Sequence, residues 1–282
     1  MPPKFWVVKA DGEREIFDQV KLRDSLRRSG ANEDAISAVV TKILSEMKDG
    51  MPTGQIYRHA FALLRRQHRG AAAQYNLRSA IRELGPSGFP FEQYVGEIFR
   101  SKGYEVQVDL IVQGWCVDHE VDVSARKDGM HILVECKFHN EEGFKTDLKV
   151  ALYVRERFND IQKKHESTKN EKEKFHEGWL VTNTKLTSKA IQYSQCAGLT
   201  VVGWNYPKKG NLQDLINETK LYPITALTTL SVSDKRRLIN SNIVLVRDLF
   251  SQRKMLHGIG LDETKINRVL DEAKALNGMT LT

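Results

Sequence analysis

The sequence has 282 residues, of which 40% are hydrophobic and 28% charged, and its net charge is +7. This length allows two or three domains, and the composition is that of globular proteins rather than disordered or fibrous ones. No apolar run approaches the roughly 20 residues that span a bilayer, and the N-terminal segment is no signal peptide, so no membrane contact is expected. Three scattered cysteines fit a reducing, cytoplasmic location, and the basic excess favours a polyanionic partner.

Two turn-rich breaks divide the chain. The first is the glycine- and proline-rich run 84–88, and the second is the run 206–211. Such runs end regular elements and begin new units. The expected domains are therefore 1–86, 87–210 and 211–282.

The first domain is predicted to be a helical bundle with a small strand cap. Residues 5–9 and 14–17 read as a hairpin closed by a tight turn at Asp11 and Gly12. The apolar spacing that follows predicts four helices, at 18–29, 33–48, 53–69 and 71–84.

This domain resembles the ATP-cone, the nucleotide-binding regulatory module of ribonucleotide reductases. The resemblance is carried by the segments Val8-Lys9-Ala10-Asp11-Gly12, Glu15-Ile16-Phe17-Asp18, Lys21-Leu22 and Ser29-Gly30-Ala31. Ala10 stands where the family usually has a second basic residue. The alternative is a purely structural bundle.

The resemblance implies a regulatory site for ATP or dATP in this domain. It places phosphate against Lys9 and Lys21, and the ribose or base near Glu15 and Asp18. Thr53, at the start of the third helix, is a further candidate for phosphate contact, and Tyr57 stands where the family often has histidine.

The second domain has the element order of an α/β fold. Its patterns predict, in chain order, a helix, three strands, a helix, a strand, a helix and a strand, at 91–102, 104–112, 120–125, 131–137, 145–164, 178–182, 187–197 and 200–204. A turn at 127–129 joins the second and third strands. The highly charged stretch 163–177 is expected to be a solvated loop.

Two neighbouring strands of this domain carry a cluster suited to phosphodiester hydrolysis. Glu135 and Lys137 are two residues apart and therefore face the same side of a strand, and antiparallel pairing through the turn brings Asp122 beside them. Carboxylates hold Mg²⁺ or Mn²⁺, the metal lowers the pKa of a bound water, and a lysine orients that water or stabilises developing charge. The alternative, a surface ion pair, is disfavoured because these residues interrupt runs expected to be buried.

The cluster resembles the Mrr-like branch of the restriction-endonuclease-like superfamily, whose α/β/α core carries an acid in a helix, an Asp on a later strand and then Glu-x-Lys. The matching segments are Phe89-Pro90-Phe91-Glu92-Gln93-Tyr94-Val95, His119-Glu120-Val121-Asp122-Val123 and Val134-Glu135-Cys136-Lys137. The resemblance implies catalysis by Glu92, Asp122, Glu135 and Lys137, with the three acids holding the metal. Glu97 competes with Glu92 for the helical role. Asp118 and His119 are read as loop residues rather than as metal ligands.

The third domain is predicted to consist of short helices, and its end resembles a helix-hairpin-helix module. The run 257–260 contains two glycines and precedes a helix at 263–276, and the segment 227–231 is a candidate degenerate copy. Backbone amides of such hairpins hold DNA phosphate. A helical packing or dimerisation tail is the alternative.

The strand cluster and the two resemblances together imply a nucleotide-regulated, divalent-metal-dependent DNA endonuclease that forms a homo-oligomer. A homo-oligomer is expected because a single Mrr-like centre cuts one strand, so a double-strand break requires two centres. A non-catalytic, nucleotide-sensing DNA-binding regulator and an RNA nuclease are the alternatives.

Overall fold

The computed structural model describes residues 5–168 and 175–277. The chain forms two compact units, one of Arg82–Leu221 and one that joins Met1–Ile81 with Tyr222–Thr282. Within the described ranges, every helix is too short or too polar to cross a membrane.

The N-terminal segment has the expected strand cap and helical bundle. The cap is a three-stranded sheet in the order β2-β1-β3, made of β1 (Trp6–Val8), β2 (Arg14–Ile16) and β3 (Met51–Pro52). The predicted hairpin is confirmed, because β1 and β2 pair antiparallel. β3 was not expected and adds to β1 in parallel.

Five helices follow the hairpin: α1 (Gln19–Arg28), α2 (Glu33–Glu46), α3 (Thr53–Gln67), α4 (Arg69–Tyr75) and α5 (Leu77–Arg82). The single helix predicted at 71–84 is wrong, because the chain is divided into α4 and α5 at Asn76. Asparagine is a weak helix former, and the Asn76 Oδ1 accepts a hydrogen bond from the Tyr57 hydroxyl at 2.7 Å. Leu26, Ile36 and Leu64 lie in the core of this bundle.

The second unit is built on a five-stranded mixed sheet in the order β10-β8-β6-β5-β4. The elements in chain order are α6 (Phe89–Ser101), β4 (Glu105–Gln113), β5 (Asp118–Lys127), β6 (Met130–Lys137), β7 (Lys145–Thr146), α7 (Leu148–Thr168), β8 (Glu177–Thr182), β9 (Lys185–Leu186), α8 (Ser188–Ala197), β10 (Leu199–Val202) and α9 (Leu212–Thr219). β4, β5 and β6 pair antiparallel, whereas β6, β8 and β10 pair parallel. β7 and β9 form a separate parallel pair.

Helix α7 covers one face of this sheet. Its apolar side chains Ala151, Val154, Phe158 and Ile161 form one buried cluster with residues of the strands. The predicted helix start at 145 is wrong, because β7 comes first and Asp147 accepts hydrogen bonds from the N–H groups of the first turn.

The predicted loop 163–177 is also partly wrong. Its first six residues continue α7 and its last residue begins β8. Lysine and glutamate are good helix formers, so a charged run extends a helix on its solvated side. Residues 169–174 of that expected loop lie outside the described residues.

The C-terminal segment consists of two 3₁₀ turns, Ile224–Ala226 and Val246–Phe250, with helices α10 (Val232–Asn240), α11 (Arg253–Gly258) and α12 (Glu263–Leu276). Gly260, with φ +84°, lies in the short turn between α11 and α12. The buried carboxylate of Glu272 accepts hydrogen bonds from the N–H and hydroxyl groups of Thr228 and Thr229. This segment packs against the N-terminal bundle in the same unit, where the Thr225 hydroxyl donates to the Ala80 carbonyl at 2.6 Å.

Candidate active site

The regular sheet pairing is interrupted at Asp122. β5 pairs with β6 only as far as Val123 and Val134, while β6 continues beside β8 to Lys137. The strands separate beyond that point, and the Asp122 Oδ2 accepts the backbone N–H of Cys136 at 2.6 Å. The carboxylate thus replaces a sheet hydrogen bond, which fixes Asp122 against the strand that carries Glu135 and Lys137.

Glu135 lies on the same face of β6 as Lys137 and is half-buried, whereas Lys137 is exposed. The Glu135 Oε2 accepts a hydrogen bond from the Arg157 Nη1 on α7 at 2.5 Å. These groups border a cavity of about 380 Å³ lined by Asp118, His119, Glu120, Asp122, Glu135, Tyr153 and Arg157. The described structure therefore brings Asp122 and Glu135 to one polar cleft, whereas Lys137 is not one of the residues that line it.

Glu92 lies in the first turn of α6 and is close enough to Asp122 to be affected by its charge. Burial raises the pKa of Glu92 to about 7, and the negative charges of Asp122 and Glu120 contribute to the same shift. Glu97, the competing acid, lies further along the helix and pairs with Arg100 at 2.5 Å. Glu92 is thus the acid of α6 that shares the electrostatic environment of the cluster.

The two strand carboxylates are held close together in a partly buried place. Burial raises the pKa of Glu135 to about 7, with a further rise from Asp122 that Arg157 and Lys137 partly offset. Burial also raises the pKa of Asp122, against the lowering effect of the Cys136 N–H. A divalent cation would relieve this accumulation of negative charge, and carboxylate oxygens are the ligands that Mg²⁺ and Mn²⁺ prefer.

The donor chemistry of the cleft fits such an ion, although the carboxylates now have other partners. Across residues 5–168 and 175–277, no three acidic, histidine or cysteine side chains are already arranged around a common metal position. Glu135 is paired with Arg157, and Asp122 with the Cys136 N–H. Glu92, Asp122 and Glu135 are the residues that would hold the ion.

The raised pKa of Glu92 leads to a prediction about stability. Its ordinary pKa is 4.5 and its pKa in the folded protein is about 7, so the folded state binds more protons between these values and its stability falls as pH rises through this window. Glu92→Gln removes the charge and is expected to stabilise the metal-free protein at pH 8 by on the order of 1 kcal/mol, after discounting for solvent screening. Urea unfolding in EDTA at pH 5 and pH 8 measures the effect.

The matched control for this prediction is Glu97→Gln, which makes the same chemical change on the same helix and is expected not to stabilise the protein. An equal stability of Glu92→Gln and the parent protein at pH 8 would contradict a buried charge at this position.

The hairpin tip that joins β4 to β5 is fixed to α7 through Asp160. The Asp160 carboxylate accepts the N–H of Cys116 at 3.0 Å and contacts the His119 Nε2 at 2.9 Å. The hydrogen bond to His119 is the main reason that the pKa of Asp160 falls to about 2. The loop assignment of Asp118 and His119 is wrong, since both belong to β5 and line the cleft.

Sequence reasoning missed Arg157. A signal was present, because Arg157 falls three residues after Val154 and four before Ile161, in the stripe of α7 that packs against the sheet. A charged residue in an apolar stripe requires a partner, which in this protein is Glu135.

The residues expected to bind nucleotide are only partly brought together. The Lys9 Nζ lies 3.0 Å from the Glu15 Oε2, and the Lys21 Nζ lies 3.7 Å from the same oxygen. Asp18 caps α1 by accepting the N–H groups of Val20 and Lys21.

The other two nucleotide candidates lie on α3. Thr53 is the first residue of this helix, and Tyr57 stacks on Tyr75 with a ring-centroid distance of 5.0 Å. The ring of Tyr57 is thus half-buried and already stacked on a neighbouring ring of the bundle.

Comparison with known proteins defines the class of the second unit. The model of the family described as "Restriction endonuclease" matches residues 84–205, the part of the chain that contains the sheet and the cleft. A second model, described as "AF1548-like, C-terminal", matches residues 222–277. The chain thus combines a restriction-endonuclease domain with an AF1548-like C-terminal domain, and neither match reaches residues 1–83.

Two relatives place the chain in a particular family. An uncharacterized protein of Archaeoglobus fulgidus is 37% identical over 186 residues, which are 65% of this chain and all of that protein. The crystal structure of AF1548, a protein of unknown function, aligns with a TM-score of 0.56 at 34% identity, over 69% of this chain and all of that one. The chain belongs to this AF1548-like family.

Proposed function

We propose that the protein is a divalent-metal-dependent endonuclease that hydrolyses phosphodiester bonds in DNA. The observation that supports it most is the convergence of Asp122 and Glu135, with Lys137 beside them, on a polar cleft of a restriction-endonuclease domain. In the proposed reaction, Asp122, Glu135 and Glu92 hold Mg²⁺ or Mn²⁺. When bound, the ion would supply an activated water and neutralise charge on the phosphate.

The remaining chemistry falls to the protein. Lys137, which is exposed at the end of β6, would orient the attacking water or stabilise the charge that develops on the phosphate. Asp122 is held in place by the Cys136 N–H, so the strand backbone orients this carboxylate before any ligand arrives.

The test of this function is incubation of the purified full chain with supercoiled plasmid and Mg²⁺ or Mn²⁺. Conversion to nicked or linear DNA that EDTA prevents is the expected result. Matched single-stranded RNA, duplex RNA and DNA substrates separate a DNA nuclease from an RNA nuclease. DNA binding without cleavage under every metal condition would instead support a non-catalytic regulator.

We also propose that residues 1–86 are an ATP-cone that binds ATP or dATP and changes the oligomeric state and the cleavage rate. The hairpin, the helical bundle and the approach of Lys9, Lys21 and Glu15 to one another support this proposal. In the described structure both lysines pair with Glu15 and Lys9 also pairs with Glu13, so nucleotide phosphate must replace these carboxylates as their partners. A ligand shifts an assembly equilibrium only by its differential affinity for the two states.

For this module, the double variant Lys9→Ala, Lys21→Ala is expected to weaken ATP and dATP binding by about tenfold or more, because two charge-assisted contacts are lost. Calorimetry measures binding, and light scattering follows the oligomer across a nucleotide titration. Lys42→Ala, Lys48→Ala carries the same charge change on and just after α2 and serves as the control. Absence of nucleotide binding to the parent protein would rule out the regulatory proposal and leave the nuclease proposal untouched.

The C-terminal segment is proposed to add a DNA phosphate contact through the turn between α11 and α12. Because residues 222–277 pack within the same unit as the N-terminal bundle, deletion of this segment would expose apolar surface. Point substitutions in the turn, followed by the salt dependence of DNA binding, are therefore the appropriate test.

A further inference from the structure

Arg157 is a charged residue at a position where α7 otherwise packs against the sheet. Its side chain is only 14% exposed, and Val154, Phe158 and Ile161 around it on the helix are buried. A partly buried guanidinium needs hydrogen-bond partners, since desolvation of an unpaired charge is costly. The hydrogen-bond partners of Arg157 therefore indicate the role of its side chain.

Those partners all lie at the cleft. The Nη1 donates to the Glu135 Oε2 at 2.5 Å, and the Nη2 donates to the backbone carbonyl of Glu120. The guanidinium also lies 5.5 Å from the ring centroid of Tyr153. Arg157 is thus held from two sides with its charge at the cleft wall.

Because the cleft is mostly acidic, a phosphate ligand would depend on this arginine for a positively charged partner. Asp118, Glu120, Asp122 and Glu135 are acidic lining residues, and the His119 ring is engaged by Asp160. Arg157 is the permanently charged cation among the residues that line this cavity. A DNA phosphate entering the cleft meets acidic walls on the other sides, and guanidinium groups bind phosphate oxygens with charge-assisted hydrogen bonds.

The Glu135 carboxylate cannot bind Arg157 and a divalent cation at full strength at the same time. A carboxylate that accepts a close hydrogen bond from a guanidinium has less negative charge to offer to a metal, and the two cations repel each other. We propose that Arg157 is a displaceable counter-ion of Glu135 and that, once a divalent cation takes over Glu135, Arg157 binds the DNA phosphate that is cut. This inference rests on the nuclease function proposed above.

Substitution of Arg157 is therefore expected to change the affinity for metal and the affinity for DNA in opposite directions. Arg157→Met removes the competitor of the metal, so Mn²⁺ is expected to bind about tenfold more tightly. The same substitution removes a phosphate ligand, so the gain in DNA affinity that Mn²⁺ produces in the parent protein is expected to shrink by about tenfold. An ion pair that only supports the fold would not produce this combination.

The experiment uses the full chain in the background of Lys137→Ala, so that DNA is bound with slow cleavage. Mn²⁺ affinity is measured by the paramagnetic resonance signal of free Mn²⁺, and duplex DNA affinity by fluorescence anisotropy in EDTA and in Mn²⁺. Arg155→Met, the same chemical change two residues away on α7, is the matched control and is expected to behave like its background. Arg157→Lys, which keeps the charge, should recover part of the DNA affinity.

Mn²⁺ binding is compared at pH 8, because loss of Arg157 also raises the pKa of Glu135 and a proton then competes with the ion. Unchanged or weaker Mn²⁺ binding by folded Arg157→Met at this pH would overturn the inference. So would an equal loss of DNA affinity in EDTA and in Mn²⁺, because that pattern describes an ordinary electrostatic contact. Arg157→Gln is compared in the same way if the methionine variant does not fold. Cleavage and Mn²⁺ binding by the parent chain test the nuclease function separately, so the two proposals fail on different measurements.

Discussion

Replacement of Asp122 or Glu135 by alanine is expected to lower DNA cleavage by roughly a thousandfold or more, because a lost metal ligand removes several kcal/mol of transition-state stabilisation. Both side chains line the cleft, and Asp122 is fixed to β6 through the Cys136 N–H. Lys137→Ala is expected to slow cleavage by about a hundredfold or more while leaving Mn²⁺ affinity nearly unchanged, since the lysine acts on the water or the phosphate. Plasmid nicking rates and Mn²⁺ titrations measure the two effects.

The matched control is Asp128→Asn, which removes a carboxylate from the exposed turn between β5 and β6. Asp128 has φ +49°, a conformation that asparagine also tolerates, so its fold and cleavage rate should be retained. If the three variants of the cluster cut as fast as the parent protein, the reaction takes place elsewhere in the chain.

Phe158→Ala is expected to destabilise the second unit by about 3–5 kcal/mol, the usual cost of removing a buried phenyl ring. Phe158 is 2% exposed and lies against the strand β8, where a Cβ added to Gly178 would come within 2.4 Å of its ring. The glycine therefore provides the space that the ring fills. Urea unfolding followed by circular dichroism gives the change in the free energy of unfolding.

A comparison on the same helix separates burial from helix propensity. Leu152→Ala truncates a side chain that is 41% exposed and is expected to change stability by less than about 0.5 kcal/mol. A similar small change for Phe158→Ala would mean that α7 does not pack on the sheet as described. Since Arg157 precedes Phe158, we also expect the core variant to weaken cleavage by loosening the helix that forms one wall of the cleft.

Much of the fold followed from periodicity and turn residues. The hairpin of the strand cap and the main elements of the second unit appear in the predicted order, because alternation and helical spacing are local properties of the chain. The sequence also predicted that Asp122 and Glu135 lie close together, because a turn at 127–129 and the two-residue alternation of strands leave little freedom in how the two strands pair. Their catalytic roles stay predictions.

Other features depend on contacts between distant parts of the chain. The association of residues 222–277 with the N-terminal bundle was outside the reach of local patterns, because it joins the two ends of the sequence. The pairing of Arg157 with Glu135 required knowledge of how α7 crosses the sheet. The end of regular pairing at Val123 depends on how the two strands lie in the folded sheet, which the local pattern of residues does not show.

The mixed direction of the sheet has a consequence for how the cleft assembles as the chain folds. β5 and β6 are joined by a tight turn, so Asp122 can meet the Cys136 N–H as soon as a local hairpin closes. β6 and β8 pair in parallel, which requires the whole crossover through α7 and is slower to form. Arg157 arrives on that crossover helix. The carboxylates are thus gathered early, by short-range contacts, and their arginine joins them only when the long-range half of the sheet is complete.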